Sequence, residues 1–262
     1  MERVPREVIA FAEDPRAYVV PDPDEERILD DQTCVTFSPG EHFWSTSVCR
    51  VRFPPDGVED GLDRVRTLMS ARGRREAVWT LGPSSTPGDV VDRLVALGLE
   101  RESAEGSVIL TLTESPAVRR TDVEVRLVET FEDHMAALEA AIEGFGFPEH
   151  DADDERRRAR ETFEIERDSG TVVRFVASVD GAPVASAHAT YSPHGAYVGG
   201  VATVPAARGR GAMSAVIAAA WTDAVRRGTP ALVCFGGSMS APTLQRLGFR
   251  AYARAEHLID RP

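Results

Sequence analysis

Apolar residues recur at three- and four-residue intervals along 62–72, where Leu62, Val65, Leu68 and Met69 share one face. Val90, Val91, Leu94, Val95 and Leu97 do the same along 87–97, and Gly98 supplies a stop. That spacing predicts two amphipathic helices. The same reading gives helices over 131–143, 153–167, 211–227 and 240–247. The second of these begins acidic and turns basic, which suits the helix dipole. Runs rich in β-branched and aromatic residues predict strands over 33–37, 43–53, 77–81, 107–113, 123–128, 172–179, 183–191, 197–203, 231–235 and 249–259. Asp180-Gly181, between two of these strands, is a strong hairpin signal. Residues 8–11 suit a short helix, broken by Pro21-Asp22-Pro23-Asp24. The segment 113–121 is polar, contains Pro116 and reads as a linker between domains at 1–113 and 121–262. Strands and helices alternate with an embedded hairpin, so the fold class is α/β, with an α+β mixed sheet.

The two halves resemble each other at an offset of 150 residues. Val48, Val51, Pro55 and Gly61 match Val198, Val201, Pro205 and Gly211, and Leu97-Gly98-Leu99 matches Leu247-Gly248-Phe249. Both halves then run strand, turn, helix, strand, serine-containing loop, helix. They differ at the turn. It is acidic in the first copy (Asp56, Glu59, Asp60) and basic in the second (Arg208, Arg210).

Composition narrows the function classes. The chain has 262 residues and a net charge of −12, a poor match to a phosphate backbone, so nucleic acid is not an expected partner. No stretch approaches the ~20 apolar residues of a membrane span, so no membrane partner is expected. The N-terminus lacks the apolar core of a signal peptide. Cys34, Cys49 and Cys234 are odd in number and widely spaced, which indicates a cytoplasmic protein with neither a disulfide framework nor a structural zinc. The chain contains no Lys and no Asn, so no lysine can form a Schiff base or complete a P-loop.

The candidate chemistry lies at 201–217, VATVPAARGRGAMSAVI. A strand ends, a proline turns the chain, two glycines flank an arginine, and a long helix begins. Helix N-termini carry unpaired N–H groups and the positive dipole end, so the turn is suited to an anion. Gly209 and Gly211 allow close backbone approach, and Arg208 and Arg210 add charge. A glycine-rich turn that binds nothing is the alternative. With no GK[ST], a Walker P-loop is excluded.

Arg208-Gly209-Arg210-Gly211-Ala212 resembles the acyl-CoA pyrophosphate loop of the GCN5-related N-acetyltransferases (GNAT). Residues 240–249, SAPTLQRLGF, resemble that family's final helix and its LGF ending. The resemblance spans about 123–259 and makes the first half a degenerate copy of the same fold. It implies acetyl-CoA as co-substrate, with no metal. Backbone groups of Val201 and Thr203 would pair with the pantetheine arm. The N–H groups of Arg208, Gly209, Arg210, Gly211, Ala212 and Met213 would hold the pyrophosphate, with Ser238 nearby. Three positions depart from the family pattern. Met213 replaces a small residue, Leu244 stands where a general-acid tyrosine is frequent, and the frequent Asn is missing. The implied activity is transfer of acetyl to a primary amine of a small molecule or peptide, by direct attack in a ternary complex. A catalytically silent acyl-CoA-binding module is the alternative. Tyr197 and Glu143 are the candidate catalytic residues. Each has a plainer reading, as a half-buried strand tyrosine and as an exposed helix-end carboxylate. His194 reads as a turn residue, and His188 faces either cleft or core. Phe145 and Phe147 suit an apolar pocket wall or core packing, and Cys234 reads as inert core. The acidic surface favours a cationic acceptor.

Overall fold

The computed structural model describes residues 4–40, 42–118 and 122–262. The last three residues of the expected linker, 119–121, lie outside the described residues, as does the first residue of the expected second domain. The N-terminal half comprises α1 (Arg6–Glu13), β1 (Glu26–Leu29), β2 (Cys34–Phe37), β3 (Thr46–Cys49), α2 (Val58–Ser70), β4 (Ala77–Leu81), α3 (Val90–Ala96), β5 (Glu100–Arg101) and β6 (Ser107–Leu112). The C-terminal half comprises β7 (Glu124–Leu127), α4 (Phe131–Phe145), α5 (Glu149–Ser169), β8 (Val172–Val179), β9 (Ala182–Ser192), β10 (Gly195–Thr203), α6 (Ala212–Arg226), β11 (Leu232–Gly236), α7 (Ala241–Arg246) and β12 (Arg250–Asp260).

All strands join one mixed sheet in the order β1-β2-β3-β4-β12-β6-β11-β10-β9-β8-β7, with β5 beside β12. Among the strands of the described residues only β3–β4 and β10–β11 pair in parallel, at corresponding places in the two halves. The halves exchange strands. β6 precedes the linker, yet it pairs with β11 along its length. β12 pairs with β6 through Arg250–Ala255 and then with β4 through Glu256–Asp260. The segment boundary at 113–121 is therefore not the boundary between the two halves of the sheet.

Each half buries its own apolar cluster. Trp79, Phe53, Leu62, Val65 and Met69 centre the first, and Phe175, Ile217, Val216, Leu232 and Leu110 the second. A third cluster sits where the halves join, with Val8, Phe11 and Ala12 of α1 packed on Ile109, Val233 and Ala255. The apolar residues of α1 that predict a short helix thus serve the joint. The strand expected over 43–53 is shorter than its pattern, because a 3₁₀ turn (Phe43–Ser45) precedes β3 and Arg50 takes φ +53°. The Asp180-Gly181 turn forms with φ +51° and +80°, the positive values a tight hairpin needs. Among the described residues no helix is long and apolar enough to cross a membrane.

Candidate functional site

β10 and β11 pair only at Ala196↔Leu232 and Tyr197↔Val233. Beyond these residues the strands part. An irregularity in β10 between Gly199 and Ala202, with Gly200 at φ +59°, turns the strand away. The gap opens into a cleft of about 1130 Å³. All nine residues expected to bind the cofactor line it: Val201, Thr203, Arg208, Gly209, Arg210, Gly211, Ala212, Met213 and Ser238.

The turn into α6 has the geometry of an anion cradle. Gly209 and Gly211 take φ +81° and +90°, a region that penalises side chains. A Cβ on Gly209 would meet open space, so that glycine is present for its backbone and not for packing. The first backbone hydrogen bond of the helix runs from Ala215 N–H to Gly211 O. Among the described residues, the N–H groups of Gly209, Gly211, Ala212, Met213 and Ser214 donate to no carbonyl. Five donors at a positive helix end suit a diphosphate.

Both arginines of the turn also make contacts within the protein. Arg208 donates to Gly144 O at 3.1 Å and Thr203 O at 3.4 Å, tying the turn to the end of α4. Arg210 pairs with Asp122 at 2.5 Å. Both line the cleft, each with part of its guanidinium engaged within the protein.

The departures from the family pattern have visible consequences. Leu244 is 3% exposed and packs in the core of the C-terminal half, so no hydroxyl enters the cleft from there. Met213 packs partly against the same core. Sequence reasoning missed Phe145's neighbour Gly144 and also Met239, Thr243 and Arg246, which line the cleft. Thr243 and Arg246 lie three residues apart on α7 and are hydrogen-bonded at 2.8 Å, a spacing that could have flagged them.

The candidate catalytic residues fall elsewhere. Glu143 is exposed on the last turn of α4 and does not line the cleft. Tyr197 is the last β10 residue paired to β11, so its backbone sits at the apex of the gap, but like Glu143 it is not among the residues that line the cleft. Its ring packs edge-on against Phe235 at 6.1 Å. Burial pushes its phenol pKa up, which keeps it protonated and able to donate. Strand registers place Arg174, His188, Gly199 and Tyr197 on one face of the sheet. His188 lies directly against the β10 irregularity, since a Cβ at Gly199 or Gly200 would come within 2.7 Å of its ring. Burial, aided by the Arg174 charge, lowers the His188 pKa to about 4, so the imidazole is neutral at pH 7. Arg174 is paired with Glu166. His194 packs edge-on against Tyr18 at 5.6 Å. Phe145 lines the cleft and stacks on Phe147, which meets Trp44 of the N-terminal half at 5.8 Å. Cys234 is 4% exposed and burial raises its pKa to about 12, the profile of an inert core thiol.

The central parallel strands β10 and β11 thus splay over a glycine-rich turn at the start of α6. Residues 126–249 match the model of the acetyltransferase (GNAT) family. Among curated proteins, none matches the chain by sequence. Solved structures share the whole fold. A GCN5-related N-acetyltransferase from Kribbella flavida is 19% identical, with TM-score 0.70 over 91% of this chain and 90% of that one. One from Sphaerobacter thermophilus is also 19% identical, with TM-score 0.61 over 89% and 83%. A tandem GNAT protein from the clavulanic acid biosynthesis pathway is 13% identical, with TM-score 0.59 over 92% and 84%. The chain therefore shares the tandem GNAT fold of these structures.

Proposed function

We propose that the protein is a cytoplasmic N-acetyltransferase that moves acetyl from acetyl-CoA to a primary amine of a small molecule or peptide. One observation carries the reading: the five unaccepted N–H groups at the start of α6 open onto the gap between β10 and β11. The backbone from Gly209 to Ser214 binds the diphosphate, and the free edge of β10 at Val201 and Thr203 takes the pantetheine arm. Acetyl-CoA, when bound, supplies an activated thioester. The acceptor approaches from the face carrying Tyr197 and His188. Attack forms the C–N bond and breaks the C–S bond. The amine loses a proton, and the thiolate gains one. Tyr197 is the available donor at the apex. Neutral His188 accepts hydrogen bonds but is a weak base at this pKa.

A second reading has its own support. The buried Leu244 leaves the cleft without the family's frequent tyrosine, as in a module that binds acyl-CoA without turning it over. Calorimetry with acetyl-CoA, followed by thiol release across an amine panel, separates the two. Saturable binding with turnover supports the enzyme, and binding without turnover on any amine supports the module. Absence of binding refutes both.

A further inference from the structure

The three cysteines are dispersed along the sequence, yet the sheet brings two of them together. β2 and β3 pair antiparallel with Cys34 directly opposite Cys49. Directly opposed side chains leave the same face of a sheet, with Cα atoms about 4.5–5.5 Å apart. That separation lies inside the ~4.4–6.8 Å that a disulfide spans. Val35 and Val48, the next opposed pair, point to the other face and into the first apolar cluster. The two thiols therefore share the face that the cluster leaves. Both are free in this structure. Cys234, the third cysteine, stands opposite Leu110 and has no such partner there.

The pair is enclosed. Cys34 is 0% exposed and Cys49 is 5% exposed. The turn after α1 (Pro15–Ala17) packs against β2. Two buried carboxylates fasten that segment. Asp14 accepts from Arg50 N, the residue after Cys49, at 2.8 Å and from Arg52 Nη2 at 3.1 Å. Glu13 accepts from Ser84 N at 2.6 Å and Ser84 Oγ at 2.8 Å. A buried carboxylate persists only when satisfied in this way. Within the pair, a hydrogen bond from the Cys49 thiol lowers the Cys34 pKa against the opposing effect of burial. Two thiols fall short of the four ligands of a structural zinc site. Among the described residues no cluster of three His, Cys, Asp or Glu side chains suits a metal ion. The chemistry left to the pair is that of a dithiol.

We propose that Cys34 and Cys49 are an oxidation site, converted by hydrogen peroxide to a disulfide that joins β2 to β3. The Cys34 thiolate attacks one peroxide oxygen and the O–O bond breaks. The sulfur becomes a sulfenic acid, and the departing hydroxide takes up the thiol proton as water. The Cys49 sulfur then attacks the sulfenic sulfur. The S–O bond breaks, the S–S bond forms, and the second oxygen leaves with the Cys49 proton as water. Two electrons pass from the two thiols to the peroxide. Enclosure selects a small oxidant, because a bulky disulfide must be reached by the attacking sulfur. Disulfides of this kind in a reducing compartment are transient and redox-sensing. The proposal stands apart from the acetyltransferase reading, since neither cysteine lines the cleft.

The test treats the folded, reduced full chain with hydrogen peroxide, removes the excess with catalase, then unfolds and alkylates it with iodoacetamide. Intact mass counts the thiols, and peptide mapping locates them. Alkylatable thiols should fall from three to one, with Cys234 the survivor and one peptide linking Cys34 to Cys49. The link should form roughly 10-fold faster than Cys234 is oxidised, and dithiothreitol should restore all three thiols. Cys34→Ser and Cys49→Ser should each abolish the link, while Cys234→Ser should keep it. The wild-type count decides the matter even where a serine variant fails to fold. The proposal is overturned if three thiols persist, if all three are lost at equal rates, or if oxidation ends in a sulfinic acid on either cysteine. It is also overturned if the link appears only when the chain is unfolded before peroxide is added.

Discussion

Gly211→Asp tests the anion cradle most directly. Gly211 caps α6 at φ +90°. A side chain there costs about 1–2 kcal/mol of backbone strain, which lowers the melting temperature by a few degrees in a chain of this size. Strain affects stability, whereas the new carboxylate affects binding. At roughly 5 Å from a phosphate, with an effective dielectric constant of about 20, each pair of unit charges repels by about 3 kcal/mol. Screening at ordinary ionic strength trims this, and about 2 kcal/mol corresponds to a Kd raised roughly 30-fold. Calorimetry with acetyl-CoA at low and high salt reads the effect, and the penalty should shrink as salt rises. The matching position is the control. A Cβ on Gly61 would lie 2.3 Å from the Phe53 ring, so the first copy has filled its turn with an aromatic side chain. Gly61→Asp should therefore destabilise the N-terminal half while the folded protein keeps its acetyl-CoA affinity. If folded Gly211→Asp binds within threefold of wild type, the helix end is not the anion site. Equal loss of affinity in both variants would refute the degenerate-copy reading.

Three further outcomes follow from the packing. Arg66→Ala strands Asp260, which is fully buried and holds Arg66 at 2.7 Å across the two halves; a loss of about 3–5 kcal/mol in denaturant melts is expected. Asp223 is 4% exposed. Burial alone would raise its pKa, but hydrogen bonds from Tyr191 and Arg227 and the charges of Arg227 and Arg226 outweigh that and hold it low. A carboxylate depressed in the folded state stabilises fully above its unfolded pKa of ~3.9, and that contribution is lost as pH falls through the folded value. Asp223→Asn should therefore lose about 1–3 kcal/mol at neutral pH and flatten the acid limb of the stability profile below pH ~4, measured by thermal melts. Residues 121–262 alone lack β6 and leave the edges of β11 and β12 unpaired; the fragment should aggregate in sedimentation while the full chain stays dispersed.

The turn at 208–213 was legible because its chemistry is local. Two glycines and a helix start within a few residues define the cradle whatever surrounds them. The partners of Arg208 and Arg210 were not legible, since Gly144 and Asp122 lie 64 and 88 residues away. Tyr197 could be placed on its strand, but its position at the apex depends on where β10 and β11 stop pairing, which no period in either strand encodes. Leu244 carries no hydroxyl, which the sequence states outright, and its burial is what the structure adds. Glu13 and Asp14 carry no local signal, since the backbone donors they accept from, Ser84 and Arg50, lie 71 and 36 residues away. The repeat foretold two matching halves, and strand patterning alone could not say that β6 and β12 would trade places.

The exchange also bears on synthesis. A ribosome makes the chain from its N-terminus, and β12 (Arg250–Asp260) comes last of the sheet's strands in chain order. β4 emerges some 170 residues before the strand that covers its edge, and β6 about 140 before its neighbours β11 and β12 are complete. The first copy cannot close as an independent unit while the second is being made, unlike domains that fold in order of appearance. Its nascent form must persist with β4 uncovered until β12 has been made, so that one strand acts as the closing step for both copies at once.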